Sequence, residues 1–321
     1  MAGYPQENQA SRPDFRSLAV RLGPQLLRRR LHRQADIAAR LTHQGEGALA
    51  IERIVPVDLI LTGILRITGL HARGVHNCRA VQVVTREQRL ANLPAEFDGF
   101  RLLHLSDLHL DLVPDLTDVV VGLVRRTPHD FAVITGDFAD HPAGYFHDCL
   151  ADIRRIIAEL VPGGLAVLGN HDIIEIVPHL EESGLRVLLN ENIALERQGA
   201  KLWFSGIDDP HFYATHDLEA ARHGIPPGAC AILLSHSPQT YDDAQRREFS
   251  FMLSGHTHGG QICLPGGFPL IRNGHCPSRM ISGAWAHHSL RGYTSRGTGA
   301  CGVAARFNCP AEMTVHVLRR G

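Results

Sequence analysis

The chain has 321 residues, 44% of them hydrophobic, enough for one large domain or two small ones with a sizeable core. The formal net charge is −1 and only 6% of residues are aromatic, so neither a global basic footprint nor a stacking platform for nucleic acid is evident. The seven cysteines are scattered, with no Cys-x-x-Cys pair, which argues against a disulfide scaffold and for a reducing compartment.

Residues 1–16 are polar and read as disordered. A helix is predicted from Pro24 to Leu41. Gly23-Pro24 places a proline at a first helical position, and Leu27, Leu31, Ala38 and Leu41 recur at helical spacing. The other face carries Arg28, Arg29, Arg33 and Arg40. Residues 1–48 are therefore taken as a basic, partly disordered arm preceding a main domain, 49–321. The arm either rests on anionic membrane as an interfacial helix or packs back on the domain. Val57, Ile60, Leu61, Ile64 and Leu65 form a second helical stripe, suited to core packing or to a membrane interface. The run Ile54–Leu70 is short and interrupted by Pro56, Asp58 and Arg66, which argues against a span. No signal peptide is readable, and the segment after Arg28-Arg29-Arg30 is too polar for a twin-arginine leader. The expected location is cytoplasmic, peripheral at the inner face of the cell membrane if the arm binds lipid.

Beyond Gly69 the period changes. Strands are predicted at 80–85, 100–105, 131–135, 165–168, 185–189, 201–205, 231–234, 249–253 and 313–318, many of them continuous apolar runs as in doubly covered sheets. Helices at 116–125, 146–160 and 174–182 alternate with the early strands. The pattern is α/β, more strand-rich in its second half.

Five polar motifs follow these strands: Leu105-Ser-Asp107-Leu-His109, Thr135-Gly-Asp137, Leu168-Gly-Asn170-His171-Asp172, Ser235-His236-Ser237 and Ser254-Gly-His256-Thr-His258. In α/β sheets, reactive groups gather at the carboxyl ends of strands. Carboxylate, carboxamide and imidazole donors without thiolate suit Mn, Fe or Zn rather than a cysteine-based structural zinc. Asp137 follows a glycine that lets the chain turn sharply, so its carboxylate can bridge two ions. Two metals a few ångströms apart are a tool for attacking phosphorus.

In this order the motifs resemble the calcineurin-like metallophosphoesterase family over about Phe97 to Leu318. The resemblance implies a four-layer α/β/β/α sandwich of two mixed sheets with a centre for two divalent ions, Mn favoured. Asp107, His109, Asp137 and His258 would hold one metal; Asp137, Asn170, His236 and His256 would hold the other. His171 would face the scissile phosphate and protonate the leaving group. Asp172 would either orient His171 or cap the helix that follows.

Further segments resemble a bacterial membrane-associated branch that includes the UDP-2,3-diacylglucosamine pyrophosphatase of lipid A synthesis: Phe97-Asp-Gly-Phe-Arg101, Gly206-Ile-Asp208-Asp209-Pro210, the glycines after His258, and Ser295-Arg-Gly-Thr-Gly299 with Arg306-Phe-Asn-Cys-Pro310. A lipid-linked nucleotide is then the implied substrate. A soluble small-molecule or cyclic-nucleotide phosphodiesterase is the alternative, and a non-catalytic scaffold of the same fold is the alternative of another class. Arg296 and Arg306 either contact phosphate or pair with carboxylates. His211 either lines the substrate groove or is an ordinary loop histidine.

Overall fold

A computed structural model describes residues 15–42, 57–140, 145–270 and 274–321. Two six-stranded sheets carry the fold. The first runs β1 (Gln82–Leu90), β14 (Glu312–Arg320), β2 (Arg101–Leu105), β3 (Phe131–Ile134), β4 (Leu165–Ala166) and β5 (Arg186–Val187). The second runs β12 (Gly283–His287), β13 (Leu290–Thr294), β9 (Phe251–Ser254), β8 (Ala231–Leu234), β7 (Ala200–Gly206) and β6 (Glu191–Arg197). The central strands of both sheets are parallel, β2 to β5 in one and β7, β8, β9 and β13 in the other. A small antiparallel hairpin, β10 (Cys263–Leu264) with β11 (Phe268–Pro269), lies apart.

Strand alternation explains the layering. Leu102, Val133 and Leu165 of the first sheet meet Phe204, Ile232, Leu234, Phe251 and Leu253 of the second in one buried cluster. Their neighbours Leu103, Leu105, Ala132, Ile134 and Ala166 face outward. They are covered by residues of α5 (Leu116–Arg126), α6 (Leu150–Ile157) and α7 (Val177–Glu182). On the far side Ala231, Leu233 and Met252 pack with α8 (Leu218–Arg222) and α9 (Tyr241–Arg246). Continuous apolar runs are what strands covered on both faces require. The result is the expected α/β/β/α order.

The described residues of the predicted arm, 15–42, pack on the first sheet's outer layer. A helix α1 (Phe15–Leu22) begins where disorder was expected, and α2 (Pro24–Thr42) follows it. Leu18 and Leu27 are buried in the outer cluster of the first sheet. Arg21 joins Glu181, Glu191 and the Val187 carbonyl. Arg30 is fully buried, with its guanidinium carbon 3.2 Å from the Tyr213 ring centroid, Nε 3.2 Å from Asp208 Oδ2, and Nη2 donating to the Asp172 carbonyl at 2.8 Å. A buried charge is tolerated because it is paired, hydrogen-bonded and stacked. Arg28, Arg29 and Arg33 stay outside. The side chains of Ala38, Arg40 and Leu41 lie outside the described residues.

The second stripe is α3 (Val57–Ile67), followed by α4 (His71–Arg79). Core packing uses only part of it. Leu61 and Leu65 meet Val303 and Ala305, whereas Leu59, Ile60, Ile64 and Ile67 are 46–89% exposed. Among the described residues no helix is long and apolar enough to cross a membrane.

Candidate metal centre

The carboxyl ends of β2, β3, β8 and β9, with the segment after β4, converge on one buried point. Asp107 and His109 follow β2, Asp137 follows β3, Asn170 and His171 lie just beyond β4, His236 follows β8, and His256 and His258 follow β9. Asp107, His109 and His258 have ligand atoms within 4.8 Å of one another, as do Asp107, Asp137 and His236. Asp137 Oδ2 lies 3.1 Å from His236 Nε2 and 3.6 Å from His109 Nε2. Asn170 Oδ1 is 3.0 Å from His236 Nε2, and His258 Nε2 is 3.4 Å from Asp107 Oδ1. The His256 backbone N–H donates to Asp107 Oδ1 at 2.9 Å, and its ring centroid lies 5.1 Å from that of His236.

These donors fit divalent cations. His109 Nε2 and His258 Nε2 face each other at 3.2 Å, where a single proton can serve only one of them; a cation takes both lone pairs. His256 Nε2 is a buried ring nitrogen without a hydrogen-bond partner. Burial, with Asp137 nearby, pushes the Asp107 carboxyl up to about 6. Burial disfavours the charged His236 ring, yet Asp137 and Asp107 outweigh it and push that ring up to about 10. Protons held this way are what metal binding displaces.

The backbone bends to make this cluster. Asp107, His109, Asp137, His256 and His258 all have φ between +40° and +71°, in the left-handed region that costs an L-residue of order 1–3 kcal/mol. Glycines admit the close approaches. A Cβ on Gly169 would lie 2.2 Å from Asp137 Oδ1, and one on Gly255 would lie 2.2 Å from Asp107 Oδ2. Gly169→Ala is expected to displace Asp137. Metal content should fall below two ions per chain and activity by about 10²-fold, the scale of a misplacement near 1 Å. Metal analysis beside a thermal melt checks this; an unchanged metal content would show that the loop yields.

The calcineurin-like phosphoesterase family profile matches residues 100–260. The protein called "Uncharacterized metallophosphoesterase YkoQ" of Bacillus subtilis is 32% identical over 236 residues, covering 70% of this chain and 85% of that one. The chain belongs to the calcineurin-like phosphoesterases. Phosphodiesterase YaeI of Escherichia coli is 26% identical over 261 residues, 75% of this chain and 90% of its own. A bovine transmembrane protein with metallophosphoesterase domain is 28% identical over 283 residues, 81% of this chain but 61% of that longer protein. As a family member the chain is a metal-dependent phosphoester hydrolase, and its fold is the calcineurin-like one.

In this calcineurin-like phosphoesterase His171 stands against the first ligand group, its ring centroid 4.9 Å from that of His109 and nearly perpendicular to it. Its Nδ1–H donates to the Asp140 carbonyl, and its backbone N–H donates to Asp137 Oδ1 at 2.9 Å. Burial disfavours the imidazolium, but Asp137, Asp140 and that carbonyl outweigh it and raise the ring above its usual value. A ring so placed retains a proton to give.

Of the alternatives left open, Arg296 takes its carboxylate, while Asp172 and Arg306 take neither of theirs. Asp172 neither touches His171 nor caps the following turn. Its carboxylate accepts from the backbone N–H groups of Asp137 (2.7 Å), Phe138 (2.9 Å) and Gly169 (2.8 Å), so it clamps the two ligand loops together. Arg296 is forked onto buried Glu312, Nε at 2.7 Å and Nη2 at 2.5 Å. Arg306 is fully buried and donates to the carbonyls of Gly299, Arg296 and Cys309, with Nη2 3.2 Å from His258 Nδ1. Both arginines therefore brace the loops behind the ligands instead of reaching for phosphate. His211 does stand at the centre: its ring centroid is 4.2 Å from that of His256, and Nδ1 is 3.2 Å from Gln239 Oε1.

Sequence reasoning overlooked Asp140, Gln261 and Cys301. Asp140 Oδ1 is 3.3 Å from His109 Nδ1 and accepts from the Gly302 N–H at 3.1 Å. Gln261 Nε2 donates to the carbonyls of Cys301 and Val303, and its Oε1 accepts from the Cys301 N–H. Cys301 Sγ is 3.7 Å from His171 Nε2. Asp140 had a signal, three residues beyond Asp137 in the same loop. Cys301 had none, because only the tertiary fold brings residue 301 to residue 171.

Proposed function

We propose that this phosphoesterase hydrolyses a phosphodiester or pyrophosphate bond of a lipid-linked nucleotide such as UDP-2,3-diacylglucosamine. The supporting observation is an exposed apolar ridge beside the metal centre. Leu59, Ile60, Ile64 and Ile67 of α3 face solvent, as do Leu264, Phe268 and Leu270 at the β10–β11 hairpin. The two elements adjoin, since Leu61 and Leu65 share a cluster with Ile262 and Phe307. The site is close: a Cβ on Gly302 would lie 2.9 Å from Asp58 of α3, and the preceding Cys301 touches His171. A group of large apolar side chains in one place marks an interaction site in a way that scattered ones do not. Acyl chains or the membrane holding them match that chemistry. With Leu27 of α2 buried and Leu31 packed against the same cluster, peripheral lipid contact passes from the arm to α3.

Asp107, His109, Asp137, Asn170, His236, His256 and His258 would hold two divalent ions, Mn²⁺ favoured. When bound, the ions supply charge neutralisation at the phosphoryl oxygens and an acidified water. His171 gives its Nε2 proton to the leaving oxygen. Asp172 keeps the Asp137 and Gly169 loops in register, and His211 contacts the phosphoryl oxygens beside His256.

The Mn²⁺-loaded protein is expected to release UMP from UDP-2,3-diacylglucosamine. The double substitution Ile64→Asp with Phe268→Asp should raise KM for that substrate about tenfold or more, on the scale of one or two lost apolar burials. KM for a soluble diester should not move. Unaltered KM on the lipid substrate would remove the ridge from the argument. Cleavage of soluble diesters without UMP release would favour a soluble small-molecule or cyclic-nucleotide phosphodiesterase.

A further inference from the structure

We propose that Cys301, His171 and Asp140 form a third cation site, selective for a thiophilic divalent ion such as Zn²⁺ or Cd²⁺, and that filling it silences the enzyme. Ligand atoms of these three residues and of His109 all lie within 4.8 Å of one another. A tetrahedral ion with bonds of about 2.3 Å to sulfur and about 2.0 Å to nitrogen holds those two atoms about 3.5 Å apart. The Cys301 Sγ to His171 Nε2 distance is 3.7 Å.

His171 already makes the ring hydrogen bond that orients a metal-binding histidine. His171 Nδ1–H donates to the Asp140 carbonyl, so once the Nε2 proton has left, that nitrogen presents its lone pair on the side of Cys301. His109 Nδ1, a buried ring nitrogen without a hydrogen-bond partner, sits behind Asp140 Oδ1 at 3.3 Å. Gln261 fixes the sulfur's loop through three hydrogen bonds, at 3.0 Å to the Cys301 carbonyl, 2.9 Å to the Val303 carbonyl and 2.8 Å from the Cys301 N–H. Asp140, His171 and Cys301 are half-buried, so an ion can reach them from solvent.

The chemistry separates this site from the two-metal centre. None of the seven ligands proposed for that centre is a thiolate, whereas Cys301 offers one; soft ions prefer it and Mn²⁺ does not. On binding, the Cys301 thiol proton and the His171 Nε2 proton both pass to solvent, and the sulfur and Nε2 lone pairs ligate the ion. His171 then has no Nε2 proton to deliver. The loss of activity rests on the reading of His171 as the acid; the binding does not.

Full-length protein loaded with Mn²⁺ is titrated with Cd²⁺, following thiolate-to-cadmium absorption, bound metal per chain and turnover. Wild type should carry three ions, show the thiolate band and lose about 10²-fold in rate, the lower scale of a lost general acid. Cys301→Ser should carry two ions, lack the band and keep its own cadmium-free rate. Identical spectra and stoichiometry for the two proteins would overturn the proposal. So would a thiolate band with only two ions in total, because Cys301 would then belong to the two-metal centre. If both proteins held fewer than two Mn²⁺, the two-metal reading would fall, and the difference in the band would still decide the third site.

Discussion

Asp137→Asn is expected to cost metal and activity together. Asp137 is a carboxylate within reach of both histidine groups, 3.1 Å from His236 Nε2 and 3.6 Å from His109 Nε2. The amide keeps the shape and an oxygen for the His171 N–H, so the loop should hold. What it loses is the negative charge that offsets two nearby cations and bridges them. Bound metal should fall from two ions per chain toward none, and turnover at least about 10³-fold. Mn²⁺ should then no longer raise the melting temperature, since stabilisation by a ligand vanishes with its affinity for the folded state. Metal analysis, kinetics and melting on one preparation test all three. A variant with two ions and normal turnover would falsify the bridging role.

His171→Ala should separate metal binding from proton transfer. His171 makes no ion pair with Asp107, and its ring hydrogen bond goes to the Asp140 carbonyl, so metal content should hold at the wild-type value. Turnover should fall about 10²–10⁴-fold on a substrate whose leaving oxygen needs a proton. On a nitrophenyl diester, whose leaving group departs as an anion, the loss should shrink. Equal loss on good and poor leaving groups would sink the acid assignment and leave His171 as a binding residue.

Much of this was legible because the informative residues sit where strands end. Apolar runs such as Phe131–Ile134 and Ala231–Leu234 are covered on both faces, so they read as strands, and the motif after each is fixed in place by the sheet. Strands without such runs were missed. β6 (Glu191-Asn-Ile-Ala-Leu-Glu-Arg197) is a half-exposed edge, and β12 (Gly-Ala-Trp-Ala-His) lacks a β-branched residue. Helix α1 was hidden by the polar stretch before it, although Leu18 is buried. His316, which no motif marks, is enclosed between the sheets, its ring centroid 5.7 Å from that of His104 and 5.4 Å from that of Phe251. At the site, residue type revealed the ligands but not the braces. Arg306 and Asp172 carry charges that suggest chemistry, yet their partners are backbone groups supplied by other loops, which no local pattern encodes.

The place of β14 in the first sheet bears on how the chain folds. This strand, residues 312–320, lies between β1 and β2, which are close in sequence but do not pair with each other. During synthesis Gln82–Leu90 and Arg101–Leu105 emerge early and wait for a neighbour more than two hundred residues downstream. Until it arrives, two strand edges stand open, the condition under which chains pair wrongly or aggregate. Arg86, Glu87, Gln88 and Arg89 give β1 a charged edge that discourages this. The parallel core from β2 to β5 can gather first, while the last strand closes the sheet and places Glu312 beneath Arg296. Folding should therefore be slow and limited by a late, long-range step.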